Sequence, residues 1–135
     1  MDVLALLMTA FLFGGMTLYS FGFAPFLFNA LPAETAGPLI RKAFPWYYLF
    51  VIGAAVVAGG MLLARDWLSA MLLIVVAVLG VMSRQKLMPM INDARDRQLA
   101  GEHVAKRRFA TLHGASVGIN FVQLGLVAWV LVRFL

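Results

Sequence analysis

The sequence predicts an all-α fold, a bundle of four transmembrane helices, on three observations. Asp, Glu, Lys and Arg are absent from Val3–Phe28, Phe44–Ala64, Trp67–Ser83 and Phe109–Val132, and each stretch reaches the roughly 17 to 25 apolar residues that a helix needs to cross hydrocarbon. Hydrophobic residues make up 63 % of the 135-residue chain, more apolar surface than a soluble chain of this length buries. The basic residues sort by side: Arg41, Lys42, Arg84, Lys86, Arg95, Arg97, Lys106, Arg107 and Arg108 fall between spans one and two or between three and four, whereas only Arg65 and Arg133 fall on the other side. Backbone in hydrocarbon must satisfy its own hydrogen bonds, which makes the spans helical. The positive-inside rule places both termini outside and the segments 29–43 and 84–108 in the cytoplasm.

These spans leave no room for a separate soluble domain, so residues 1–135 read as one integral membrane domain. The absence of cysteine excludes disulfides, thiolate metal sites and cysteine nucleophiles. The net charge of +5 follows the loops and so reads as a topology signal, with no nucleic-acid partner implied. Span one starts at Val3 without a basic leader region, and is expected to be a retained helix rather than a cleaved signal.

Span one carries Gly14, Gly15 and Gly22 with Thr17, Tyr19 and Ser20. Small residues allow helix backbones to approach, which makes Gly14 and Gly15 packing candidates; a ligand-lining face is the second reading. Pro25 is expected to bend or loosen the end of the span. The connector Asn29–Ala43 contains Pro32, Gly37 and Pro38 as breakers, and its piece Leu39–Lys42 is expected to lie along the interface. Span two opens with Phe44-Pro45-Trp46-Tyr47-Tyr48, aromatics suited to the headgroup boundary. A cage for a cation is the alternative. The two-residue turn Arg65-Asp66 makes spans two and three antiparallel neighbours, with Asp66 the N-cap of span three.

Segment 84–108 reads as a helical extension of spans three and four, turning near Gly101, disturbed at Pro89 and supported by the pairs Asp93/Arg97 and Glu102/Lys106 at i,i+4 spacing. A flexible loop is the alternative. Lys106, Arg107 and Arg108, directly against span four, are candidates for anionic lipid headgroups. Span four shows two patterns. Ala110, Gly114, Gly118 and Gly125 form a small-residue seam for helix packing, and His113, Ser116, Asn120 and Gln123 lie on an adjacent face. Polar side chains on a membrane helix are expected to point into the bundle, so these four are binding candidates, with Thr17 and Ser20 as partners from span one. His113 reads as a hydrogen-bonding strut, a metal ligand or a proton carrier. Met88 and Met90 with His103 form a weak thioether site for Cu(I). No cofactor is assigned by these residues.

No span contains a carboxylate, and no nucleotide-binding loop, His-Glu-x-x-His or Gly-x-Ser-x-Gly motif is present. A non-catalytic role is therefore expected, with an intramembrane enzyme using His113 as base the least supported reading. Two functions remain: binding or movement of a small solute or metal species through a polar groove of span four against span one, or an accessory subunit of a larger membrane complex. The expected partners are membrane lipids and either copies of the chain or other membrane subunits.

The motifs Gly14-Gly15, Tyr19, Phe21, Ala24-Pro25, Leu31-Pro32, Gly37, Phe44-Pro45, Tyr47-Tyr48, Pro89, Ile91-Asn92, Arg95, Phe109, Leu112-His113-Gly114, Ser116 and Asn120 together resemble the TMEM205-like family, also called the domain of unknown function 4149. The resemblance spans most of the chain. It implies a small four-helix integral membrane protein in bacteria, with eukaryotic relatives linked to resistance to a platinum drug; with the charge bias of the loops, the expected location is the inner membrane with periplasmic termini. It brings no catalytic residues and no established activity.

Overall fold

The computed structural model describes residues 2–135. Helix α1 (Asp2–Thr17) runs into a π-helical segment, Leu18–Phe23, and then into the short helix α2 (Ala24–Ala30). Helix α3 (Ala33–Leu62) is followed by α4 (Trp67–Met82), a second π-helical segment, Ser83–Leu87, and α5 (Met88–Leu99); α6 (His103–Val132) completes the chain. Four continuous stretches are long and apolar enough to cross a membrane: Val3–Ala30, Ala33–Leu62, Trp67–Leu99 and His103–Val132. At about 1.5 Å per residue the 30-residue helices α3 and α6 are about 45 Å long, so each extends beyond a hydrocarbon layer of about 30 Å.

The same local device appears twice. Each π-helical segment ends two residues before a proline, Pro25 or Pro89, and the intervening residue donates its N–H five residues back, from Ala24 to the Tyr19 carbonyl and from Met88 to the Ser83 carbonyl. A proline ring lacks the N–H and collides with the carbonyl four residues earlier in a regular α-helix. Widening the turn moves that carbonyl aside, so the helix continues with altered phase instead of breaking.

The connector between spans one and two is shorter than its composition suggests. Only residues at Leu31-Pro32 leave the helix, and α3 then runs through Gly37, Pro38 and Pro45. Thr35 and Ala36 donate to the Pro32 carbonyl, each at 2.9 Å, which starts the helix immediately. Pro38 stands on the exposed side of the opening turns, where carbonyls can turn to solvent. On the other side Ala36 and Ile40 are buried with Leu27 of α2. That packing offsets the breakers.

At the other junctions the expected signals operate. Asp66 caps α4 by accepting from the Ser69 amide at 3.2 Å. Between α5 and α6 the chain turns on Gly101, whose φ of +97° disfavours any residue with a Cβ. Glu102 N–H bonds the Arg97 carbonyl and Gly101 N–H the Gln98 carbonyl, the paired bonds of a Schellman motif. Asp93 pairs with Arg97 at 3.1 Å; Glu102 and Lys106 do not pair. Arg41 of α3 instead makes a two-pronged bond to Asp96 of α5, at 2.7 and 3.1 Å.

Helices α1, α3, α4 and α6 close a ring, each touching the next, with α5 folded back on α6 and α2 on α3. The core runs along the ring's axis through Leu12, Met16, Val51, Leu73, Val76, Val127 and Val130. Close approach is allowed where side chains are missing. A Cβ on Gly15 would run into the Phe50 ring, and one on Gly80 would lie 2.9 Å from Ile52.

Candidate functional site

The middle of α6 presents Ser116, Asn120 and Gln123 to the interior, where Ser116 and Gln123 are buried and Asn120 half-buried. Spacings of four and three residues keep all three on one helical face. Opposite them, α3 contributes two consecutive tyrosines. Tyr47 donates its hydroxyl proton to Asn120 Oδ1 at 2.6 Å, and Tyr48 shares a hydrogen bond of 3.1 Å with Ser116 Oγ. From α6 toward α1, Asn120 Nδ2 donates to Ser20 Oγ at 2.8 Å. The amide thus joins three helices. Deeper in the ring Gln123 Nε2 donates to the Val76 carbonyl of α4 at 2.9 Å.

Ser20 belongs to the first π-helical segment, as does Tyr19. Tyr19 stacks on Tyr47 with ring centroids 4.0 Å apart and planes 14° from parallel, and its edge meets Phe44. Two hydroxyls of this region, Tyr19 Oη and Thr17 Oγ1, are buried without a hydrogen-bond partner among the described residues. Burying such a group without a partner costs about 1 to 3 kcal/mol, so both hold unused hydrogen-bonding capacity beside the network. Among the described residues no carboxylate, ammonium or imidazole hydrogen-bonds to the cluster. Its chemistry is therefore that of neutral hydroxyl and amide groups against aromatic faces.

Tyr47 and Tyr48 correct the reading of the aromatic run as headgroup anchors: both are buried, while Trp46 between Pro45 and Tyr47 is 74 % exposed. A signal for this exists in the sequence. The α6 amides and hydroxyls need partners inside the bundle, and phenols are among the few polar groups that the other spans offer.

His113 does not join Ser116, Asn120 and Gln123. It is exposed and lies flat on Phe109, centroids 5.7 Å apart. At its level the chain of span one has passed into α2, which packs on α3 rather than α6, and the inward face of α6 loses its cover. The glycine seam is likewise turned outward. Gly114, Gly118 and Gly125 are exposed with nothing within 4 Å of a Cβ added to any of them, because about 100° per residue puts them on the side of α6 opposite the buried polar face. Gly14 is also exposed and open, whereas Gly15 packs on Phe50.

The thioethers part company. Met88 packs against the core and Met90 is 40 % exposed, since residues two apart point to different sides of a helix. His103 stands exposed at the start of α6. Among the described residues no group of three His, Asp or Glu side chains is placed to hold a metal ion. Lys106, Arg107 and Arg108 are exposed on the first turns of α6.

At the opposite end of the bundle Asp66 accepts from Arg133 Nη2 at 2.8 Å, and Arg133 Nε reaches Ser69 Oγ at 3.0 Å. The Arg133 hydrogen bond, with help from Ser69, holds the Asp66 carboxyl well below the usual carboxylate range.

A family described as "Domain of unknown function (DUF4149)" matches residues 7–100. The chain belongs to this DUF4149 family. The match runs from α1 to the end of α5 and so includes Thr17, Tyr19, Ser20, Tyr47 and Tyr48, whereas Ser116, Asn120 and Gln123 lie beyond it. Neither a curated protein nor a solved structure matches the chain. The DUF4149 assignment therefore supports a multi-pass membrane protein and supplies no activity.

Proposed function

We propose that this DUF4149 protein is a non-catalytic membrane protein that binds a small polar solute at the hydroxyl and amide cluster between α1, α3 and α6, and by exchanging hydrogen bonds there helps it move. One observation carries the reading. Tyr19 Oη and Thr17 Oγ1 are buried and unpartnered beside the Tyr47–Asn120–Ser20 chain, which leaves donors and acceptors available where a solute would sit. The neutral character of the cluster favours an uncharged or weakly polarised solute over a bare metal cation. The basic hairpin of α5 and α6 faces the cytoplasm in this reading, in a bacterial inner membrane with both termini periplasmic. The likeness of Leu112-His113-Gly114, Ser116 and Asn120 of α6 to TMEM205-like proteins supports a reading of the chain as a member of that branch.

Native mass spectrometry of the protein, gently extracted from its own membrane, tests the site. A defined small-molecule adduct on the wild type, lost in Tyr19→Phe and Asn120→Ala, is the expected result. Adduct-free wild type removes the proposal.

A second reading rests on a different observation, the open Ala110/Gly114/Gly118 side of α6. It makes the chain a subunit that docks another membrane helix, from a second copy or a larger complex. Stoichiometric co-purification with unrelated chains would favour it.

A further inference from the structure

Apart from the polar cluster, α6 and α5 enclose an open cleft of about 420 Å³ lined by Met90, Val104, Arg107, Arg108, Thr111 and Leu112. Val104, Arg107, Arg108 and Thr111 stand at i, i+3, i+4 and i+7, and so form one stripe of α6. The stripe changes character along its length. Val104 stands at its outer end, the stems of Arg107 and Arg108 line its middle with their exposed guanidinium groups at the rim, and Thr111 and Leu112 continue the apolar wall toward span four. Arg107 and Arg108 are exposed and make no ion pair or hydrogen bond with another described residue. Of the acids of α5 and the α5–α6 turn, Asp93 pairs with Arg97 and Asp96 with Arg41, and Glu102 pairs with neither arginine.

The level of the cleft is set by the sequence. The charged run of α6 ends at Arg108, and from Phe109 to Val132 no charged residue follows. Arg107 and Arg108 therefore stand where headgroups meet hydrocarbon, with Thr111, Leu112 and Met90 at the depth of the first acyl carbons. A guanidinium pair takes phosphate oxygens in a forked geometry, and the apolar wall below takes a chain. A soluble anion would use only the upper half.

From this juxtaposition we infer that the α5–α6 cleft is a binding site for an anionic phospholipid, its phosphate held by Arg107 and Arg108 and the start of its acyl chain laid along Thr111, Leu112 and Met90. The site is separate from the hydroxyl cluster and does not depend on that cluster binding anything. Removal of both arginines is expected to weaken anionic lipid binding about tenfold or more, since each basic residue near an anionic surface contributes on the order of the free energy of a several-fold change.

The test is a lipid titration of delipidated full-length protein in neutral detergent, read by native mass spectrometry. The probes are phosphatidylglycerol, phosphatidylcholine and glycerol 3-phosphate. Phosphatidylglycerol should bind at least fivefold tighter than phosphatidylcholine, and Arg107→Gln/Arg108→Gln should abolish that preference. Thr111→Trp, which fills the cleft below the arginines and keeps both charges, should weaken phosphatidylglycerol as well. Lys42→Gln, an exposed basic residue on α3 outside the lining, should leave it within twofold. Equal binding of the two lipids overturns the inference, as does a preference that survives Thr111→Trp, which would be diffuse attraction to basic charge. Glycerol 3-phosphate binding as tightly as phosphatidylglycerol also overturns it, in favour of a soluble phosphate site. Unchanged elution and melting of the variants ties the result to binding, and the comparison of lipids on the wild type decides without any variant.

Discussion

Asn120 uses both ends of its amide, accepting from Tyr47 and donating to Ser20, so one side chain ties α6 to α3 and to the π-helical segment that follows α1. Asn120→Ala leaves the Tyr47 hydroxyl buried without its acceptor, and should lower stability by about 1 to 3 kcal/mol, measured as a loss of melting temperature in detergent. Tyr19→Phe should behave differently. Its hydroxyl already lacks a partner, so the variant should melt at or above the wild-type temperature while losing the bound solute; a clear drop in melting would show that Tyr19 Oη is bonded and would weaken the proposed site. At the far end Asp66 is held ionised by Arg133 and Ser69. A folded carboxyl that ionises below its ordinary range contributes stability fully above the unfolded value of about 3.9, and that contribution is lost as pH falls toward the folded value. Asp66→Ala should therefore melt lower near neutrality, by about 1 kcal/mol for the lost N-cap. Between pH 4 and pH 2 it should lose less stability than the wild type does, as thermal melts across that range would show.

Among the elements, glycines divide by what they face. Gly15 receives the Phe50 ring and Gly80 the Ile52 side chain, so Gly15→Ala and Gly80→Ala should each cost about 1 to 3 kcal/mol through forced repacking. Gly101→Ala should cost about 1 to 2 kcal/mol for a different reason, the left-handed backbone of the α5–α6 turn. Chemical denaturation of the three variants beside Gly118→Ala, which meets nothing, checks the ranking. Much of this level is legible in the sequence. Uncharged runs give the four spans, Asp66 gives a cap, Gly101 a turn, and Pro25 and Pro89 the places where helices are disturbed. The continuity of α3 through Gly37 and Pro38 is not legible, because it rests on Ala36 and Ile40 packing against Leu27, a tertiary contact without a local signature. Nor do the prolines announce π-helical widening rather than a kink.

For the whole molecule, periodicity resolves the faces of a helix and leaves open which one points inward. The polar row of α6 does point inward from Ser116 to Gln123, and loses its cover at His113 where α2 leaves for α3. Tyr47 and Tyr48 escape a reading by composition because aromatic residues near a span's end also serve as anchors; only the demand of the α6 amides for partners separates the two roles. The glycine seam then takes the opposite side of α6, facing away from the ring. An open small-residue surface on a membrane helix lets another backbone approach closely, and in lipid such contact is driven by packing rather than by water exclusion. Gly114→Ile/Gly118→Ile therefore places bulk where no atom of this chain lies within 4 Å. The isolated chain should keep its melting temperature, since its own core is untouched. If a second helix docks on this side, the same variant should fall apart from its partner in native mass spectrometry of mild extracts, while Gly15→Ala destabilises the chain without favouring dissociation. An assembly state equal to that of the wild type would remove the seam from the interface and leave the hydroxyl cluster as the main functional candidate.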